Sequence, residues 1–287
     1  MNISADVMSQ NRTSPSWKSR LSQWLPPVIL LRYRRWRTKF RWEGPFSSWE
    51  DASAHATGYS DPRILERLLE SARAVSTGAA TYERDGVLFH RTEYSWPVVA
   101  GLMKAAATDR KALSVMDIGG SLGTSYVQNR RFLEDYKRLR WSVVEQPHIA
   151  QAGKAEFEDG RLHFYDSIEA CLKKERPNVV LLSSVLSYLA DPYALIRRIQ
   201  EFGPAWIIVD LTLVHDGDKD KVMVQHVAKS IYEASYPCWL FSYDALDSAL
   251  RRSYTLVEAF EPFTDPVFSF GVRSLRFQGF ILRRSSR

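Results

Sequence analysis

Short apolar runs alternate with amphipathic segments from residue 114 to the C-terminal region. That alternation predicts strands separated by helices, and so a mostly parallel sheet covered on both faces. Strands are expected at 114–118, 141–145, 161–165, 178–184 and 206–210, with helices at 125–138, 149–156 and 191–202 between them. Asp191-Pro192 opens the last of these helices, an acid at the cap followed by proline at the first helical position. A helix over 243–251 precedes two further runs, 254–260 and 275–282, which read as an antiparallel hairpin closing the sheet.

The first part of the chain lacks this alternation. Residues 1–16 are polar and read as a disordered tail. Pro26-Pro27 interrupts the arm before a short helical pattern at 28–40. Trp42 to Trp49 is a turn-rich aromatic entry. Asp61-Pro62 then opens a helix whose Ile64, Leu65, Leu68 and Leu69 share one face, and Gly78 ends its region. Another helix is expected from Trp96 to Ala107. The expected organisation is an arm over 1–41, a helical cap over 42–110 and an α/β body over 111–287.

The stretch Ser114 to Ser125 carries the clearest candidate chemistry. Val115 to Ile118 is a strand with Asp117 near its end; Gly119 and Gly120 stop it, and Gly123 follows before a helix begins. Glycines there let the backbone approach a ligand closely, beside the unpaired N–H groups of a helix start. A dinucleotide fold calls for G-x-G-x-x-G and a P-loop for Gly-Lys-Ser/Thr; this loop is G-G-x-x-G and matches neither. The remaining alternative is a strand-to-helix turn that binds nothing.

Composition narrows the class. Of 287 residues, 45% are hydrophobic, which suits a globular protein with one large core. Two distant cysteines, Cys171 and Cys238, argue against a disulfide scaffold or a structural zinc site. Apolar runs are short of a membrane span, and residues 1–10 lack a basic signal region, so a cytoplasmic location is expected. The net charge of +6 is unevenly spread: residues 1–42 hold nine Lys and Arg and a single acid, Asp6. The remainder is slightly acidic, with 30 basic and 32 acidic residues. Basic residues mixed with Trp17, Trp24, Leu30, Leu31 and Trp36 suit peripheral contact with an anionic membrane, or an acidic partner, unless they pack on the body.

The pattern D-x-G-G-x-x-G resembles the first motif of class I S-adenosylmethionine (SAM) methyltransferases. Five segments, this glycine loop among them, occur in the same order as in one poorly characterised family of bacterial methyltransferase-like proteins: Trp42 to Phe46, Tyr82 to Asp85, Gly119 to Gly123, Val143 to Gln146 and Tyr232 to Pro237. Members of that family are often encoded in surface-polysaccharide or secondary-metabolite gene clusters. The resemblance runs from about residue 42 to the C-terminus. It implies a Rossmann-like class I methyltransferase fold: a mostly parallel seven-stranded sheet with a C-terminal antiparallel hairpin, behind the helical cap.

It also implies roles for residues at strand ends, where ligands sit in open α/β sheets. Gly119, Gly120, Ser121 and Gly123 would wrap the methionine part of SAM, with Asp117 supporting the loop or meeting the ammonium. Glu145, followed by Gln146, would accept from both ribose hydroxyls. Asp166 or Ser167 would meet the adenine amino group, and Ser183 and Ser184 would sit by the reactive centre. Arg84 either pairs with the SAM carboxylate or forms a surface ion pair with Glu83 or Asp85. His215, Asp216, Gln225 and His226 lie on the segment after the fifth strand that commonly covers the acceptor, and are candidate bases. Against this, His215 stands in a polar run fit for a solvated turn, and His226 fits an ordinary helix position. Tyr165, Tyr188, Tyr232 and Tyr236 are candidates for an aromatic wall around the sulfonium, or are core groups.

Three functions follow. One is methyl transfer from SAM to a small-molecule or sugar acceptor. Another is a cyclase that converts SAM itself into azetidine-2-carboxylate and methylthioadenosine. The third is a SAM-binding module without catalysis. A nucleic-acid substrate is disfavoured: the body is slightly acidic and no Asn/Asp-Pro-Pro-Tyr/Phe motif follows the fourth strand. No metal is expected, and the oligomeric state is left open.

Overall fold

The computed structural model describes residues 41–58, 62–84, 86–109, 112–227, 234–262, 272 and 274–285. The arm over 1–40, Tyr232 and the 61 and 85 positions lie outside the described residues.

Five parallel strands form the centre: β4 (Ala112–Ile118), β5 (Arg138–Val144), β6 (Leu162–Tyr165), β7 (Val179–Ser183) and β8 (Trp206–His215). Their order is β6-β5-β4-β7-β8. β4 therefore has β5 on one side and β7 on the other, which makes its C-terminal end the topological switch point. β11 (Tyr254–Phe260) and β12 (Arg276–Arg284) pair with each other, and β12 runs antiparallel against β8. The seven expected strands are thus present in one sheet.

Alternating side chains divide between two cores, as the period of two in a strand requires. Val115, Val179, Leu181 and Ile208 face one side, with Leu102 of α3 (Trp96–Thr108), Leu133 of α4 (Thr124–Leu133) and Ala150 of α5 (Pro147–Glu156). Met116, Val180, Leu182 and Ile207 face the other, with Cys171 of α6 (Ile168–Lys174), Ile199 of α7 (Pro192–Phe202) and Leu246 of α8 (Tyr243–Leu250).

The sheet has ten strands rather than seven. β8 does not stop at residue 210 but continues to His215. β9 (Lys221–His226) and β10 (Ser235–Ser242) follow as an antiparallel pair, and the last residues of β8 pair in parallel with β10. The aromatic entry is not a turn but β1 (Arg41–Phe46), antiparallel to β9, with its register broken between Glu43 and Phe46. Gly44-Pro45 sits at that irregularity, where an edge strand tolerates a missing donor. His226 is accordingly a strand residue and not a helical one.

The expected cap is distributed. α1 (Trp49–Ala54) packs on the added strands through Ala52, Val222 and Val224. α2 (Pro62–Ser76) and the hairpin β2 (Tyr82–Arg84) and β3 (Val87–Phe89) stand near the switch point, whereas α3 belongs to the main helical layer. Residues Phe40–Arg287 form one compact unit.

Candidate functional site

The chain leaves β4 through a turn that only glycine-like backbone accepts. Gly119 has φ +73°, Ser121 +52° and Gly123 +90°, all in the left-handed region. The Gly119 N–H donates to the Val144 carbonyl at 2.9 Å, which stitches the turn to β5. A Cβ on Gly119 would lie 2.6 Å from Val185, and one on Gly120 would lie 2.5 Å from the Asp117 carboxylate.

Asp117 is fully buried beneath the loop, where it accepts from the Trp141 indole N–H at 3.0 Å. Burial pushes its carboxyl up to about 7; the indole bond opposes the rise and the nearby Glu145 charge adds to it.

Glu145 follows β5 and bonds to the glycine turn and to the N–H of its own successor. Its Oε1 accepts from the Ser121 N–H at 3.2 Å and its Oε2 from the Gln146 N–H at 2.8 Å. Burial raises its pKa, and these two backbone bonds hold it down. Each carboxylate oxygen keeps a second lone pair for a ligand. Asp166 and Ser167 end β6; the Ser167 hydroxyl donates to Asp166 at 3.0 Å and caps α6.

These residues wall a cleft of about 640 Å³ together with Ile118, Val185 and Leu189. α2 covers it with Ile64, Arg67 and Leu68. Of the expected residues, Gly119, Ser121, Glu145, Gln146, Asp166, Ser167, Ser184 and Tyr188 lie on the wall. A smaller hollow of about 300 Å³ lies on the far side of the loop, between α2 and α4.

Other expected residues stand elsewhere. Gly120 and Gly123 shape the loop without lining the cleft. Tyr165 does not join an aromatic wall: its hydroxyl donates to Glu175 at 2.8 Å, and Glu175 also pairs with Arg140. His215 is not in a solvated turn but buried at the end of β8, its Nδ1 accepting from the Gly217 N–H at 2.9 Å. Burial lowers its pKa, helped by the Lys221 charge. His226 pairs with Glu43 across β9 and β1 at 2.9 Å, away from the cleft wall. Tyr188 reaches from the wall towards β9, its hydroxyl donating to Gln225 at 2.8 Å. Tyr236 is buried in β10. Asp216 pairs with Arg276 at the surface.

Arg84 stands at the end of β2. Its Nε donates to the Tyr82 hydroxyl at 3.0 Å, and its charge draws down the pKa of Asp210 in β8. Glu83 is buried and accepts from the Ser71 hydroxyl at 3.4 Å, the Gly86 N–H at 3.2 Å and the Thr124 hydroxyl. It thereby ties α2 and the β2–β3 turn to the first residue of α4.

Sequence reasoning missed Arg67, His148 and Asp210. The apolar face of α2 was visible, but its spacing does not say which neighbour Arg67 meets. Asp210 had a signal, since it ends an apolar strand run as Asp117 and Glu145 do.

No protein-family profile matches the chain, and no curated protein matches it. Solved structures do. The N-terminal domain of EvdMO1, crystallised with S-adenosylhomocysteine (SAH) and D-fucose, has 13% identity and a TM-score of 0.44 over 79% of this chain and 100% of that one. The 1,6-didemethyltoxoflavin-N1-methyltransferase of Burkholderia thailandensis has 14% identity and a TM-score of 0.39 over 80% and 93%. CalS10, an amino pentose methyltransferase from Micromonospora echinaspora, has 13% and 0.41 over 67% and 92%. Likenesses this distant do not say what this chain binds.

Proposed function

We propose that the chain is a cytoplasmic SAM-dependent methyltransferase acting on a small-molecule or sugar acceptor. The observation that carries this is the cleft at the switch point, with a glycine turn on one side and the Glu145 carboxylate on the other. The residues fit the cofactor. The cleft's volume falls in the range of small-ligand sites. The buried Ser121 hydroxyl has no partner among the described residues, and Glu145 retains free lone pairs. Such groups are costly unless a ligand satisfies them.

In this function the turn of Gly119 and Ser121 wraps the amino acid part, Glu145 holds the ribose, and Asp166 with Ser167 meets the adenine. Bound SAM supplies an already activated sulfonium methyl, so the chain's main task is alignment. Ile64 and Leu68 of α2 exclude water from above. The Tyr188 ring stands on the wall with its hydroxyl held by Gln225, which fixes the ring for a cation–π contact. The arm over 1–41 meets anionic membrane surfaces from outside this machinery. Among the described residues, no helix is long and apolar enough to cross a membrane.

Incubation with SAM alone tests the assignment. Unchanged SAM, with SAH released only when an acceptor is added, is the expected result. Methylthioadenosine formed from SAM alone would identify a cyclase, and absence of SAM binding by calorimetry would remove the cofactor.

A further inference from the structure

Three neighbouring strands carry a non-glycine residue in the left-handed region, within the strand or just after it. Ser121 follows β4, Ser184 follows β7 and Leu211 stands within β8. Among the described residues only Ser274 shares this conformation elsewhere. Strained backbone gathered in one place marks a functional surface. Two of these residues, Ser121 and Ser184, are on the cleft wall; the third directly follows Asp210.

Asp210 is a buried carboxylate that bonds to the Leu211 backbone N–H and faces the Arg84 charge. It is 4% exposed, yet its side-chain partners are distant: Ser95 Oγ to Oδ1 and Ser183 Oγ to Oδ2, each at 3.5 Å. Contacts of that length are at the weak limit of hydrogen bonding. Ser95 comes from the N-cap of α3 and Ser183 from β7, and Arg84 of β2 is the charged group facing the carboxylate. The Asp210 carbonyl accepts from the Ser184 N–H at 3.0 Å, which joins its backbone directly to the cleft wall. The site thus lies one strand beyond β7, next to the part of the cleft farthest from Glu145 in strand order.

We propose that Asp210 is the catalytic carboxylate of the acceptor site, receiving the proton of a hydroxyl acceptor as that oxygen is methylated. This rests on the methyltransferase function above and deepens it by naming the acceptor class. A lone pair of the acceptor oxygen forms the new O–C bond while the C–S bond breaks, its electron pair staying on sulfur. The acceptor proton passes to an Asp210 carboxylate oxygen and from there to solvent. The sulfonium and the carboxylate lose their charges in the same step. Ser95 and Ser183 position the carboxylate, and an acceptor hydroxyl takes up the capacity their long contacts leave open. Burial pushes the Asp210 carboxyl up to about 6, and Arg84 holds it from rising further. A base poised there takes a proton and returns it near neutral pH.

The test compares SAM with SAH, measured as binding to the full-length protein by calorimetry at pH 5 and pH 7.5. SAM carries a positive sulfonium where SAH has a neutral sulfur, and their other groups cancel in the ratio. A sulfonium beside Asp210 favours the ionised carboxylate, so protonation at pH 5 weakens SAM more than SAH. The ratio of SAM to SAH affinity should rise roughly three- to tenfold from pH 5 to pH 7.5. In Asp210→Asn the rise should fall to less than half, the remainder coming from Asp117 beneath the loop, while both ligands still bind. A flat ratio in the wild-type protein, or the same rise in Asp210→Asn, overturns the assignment of Asp210 alone. Failure of both ligands to bind the wild type overturns the methyltransferase function and this assignment with it. If Asp210→Asn fails to fold, Asp210→Ser replaces it in the same comparison and should lose most of the rise; an undiminished rise there overturns the assignment.

Discussion

The indole N–H of Trp141 in β5 donates to Oδ2 of Asp117 in β4 at 3.0 Å, directly under the glycine turn. Both side chains are almost wholly buried, so the bond is formed between neighbouring strands out of reach of water. The carboxyl is held up at about 7 against an ordinary value of 3.8. Between those values the folded chain keeps a proton that the unfolded chain has released. Stability therefore falls as pH rises from about 4 to 7 and is level above, by at most about 1.4 kcal/mol per pH unit. Asp117→Asn keeps an acceptor for the indole and removes the titration. Its melting temperature, taken relative to wild type, should be higher at pH 8 than at pH 5. A difference that does not change with pH would show that Asp117 does not hold a raised pKa.

Gly119 tests the loop. Its φ of +73° and the 2.6 Å approach to Val185 mean that a single methyl group suffices to disturb it. Gly119→Ala should weaken SAM binding about tenfold or more, and Gly119→Val should abolish it, with circular dichroism close to wild type. Calorimetric affinity unchanged in both variants would take the turn out of the site.

Glu145 is expected to hold the ribose while it holds Ser121 and Gln146. Hydrogen bonds to a charged acceptor contribute about 1.5–3 kcal/mol each. Glu145→Ala should weaken SAM by about one to three orders of magnitude. Glu145→Gln should cost less, because its carbonyl still accepts from the Ser121 N–H. Free methionine lacks the ribose, and its weak binding should respond only to loosening of the loop. Equal SAM affinity in wild type and Glu145→Ala would place the ribose elsewhere.

The arm is tested by deletion of residues 1–41. The truncated chain should bind SAM as the full chain does, because among the described residues the cleft wall begins at Ile64. It should bind anionic liposomes more weakly at low salt, having lost nine positive charges. A full-length protein that ignores such liposomes would return the arm to a packing role.

The body of the fold was legible because β4 to β8 and their helices keep strict periods, and because two glycines interrupt a strand where a helix begins. Glu145 was legible for the same reason, as a lone acid ending an apolar run. β9 and β10 were not, because Gln225, His226 and Pro237 interrupt their apolar pattern, and their stability comes from pairing with β1 and β8. His215 looked exposed among Asp216, Asp218 and Lys219, yet the strand carries it inward before those residues turn out. Tyr165 looked like a site residue by position alone; only the fold shows that Glu175 claims its hydroxyl.

Glu83 gives the cleft a mechanical property. Its carboxylate joins Ser71 of α2 and Gly86 of the hairpin turn to Thr124, the residue that starts the helix beneath the glycine turn. A buried acceptor cannot release three donors one at a time without leaving a charge stranded in an apolar place. Lifting α2 off the cleft therefore pulls on the first turn of α4, and the roof opens together with a loosening of the floor. One buried carboxylate thus links the helix over the cleft, the hairpin turn beside it and the helix beneath the glycine turn.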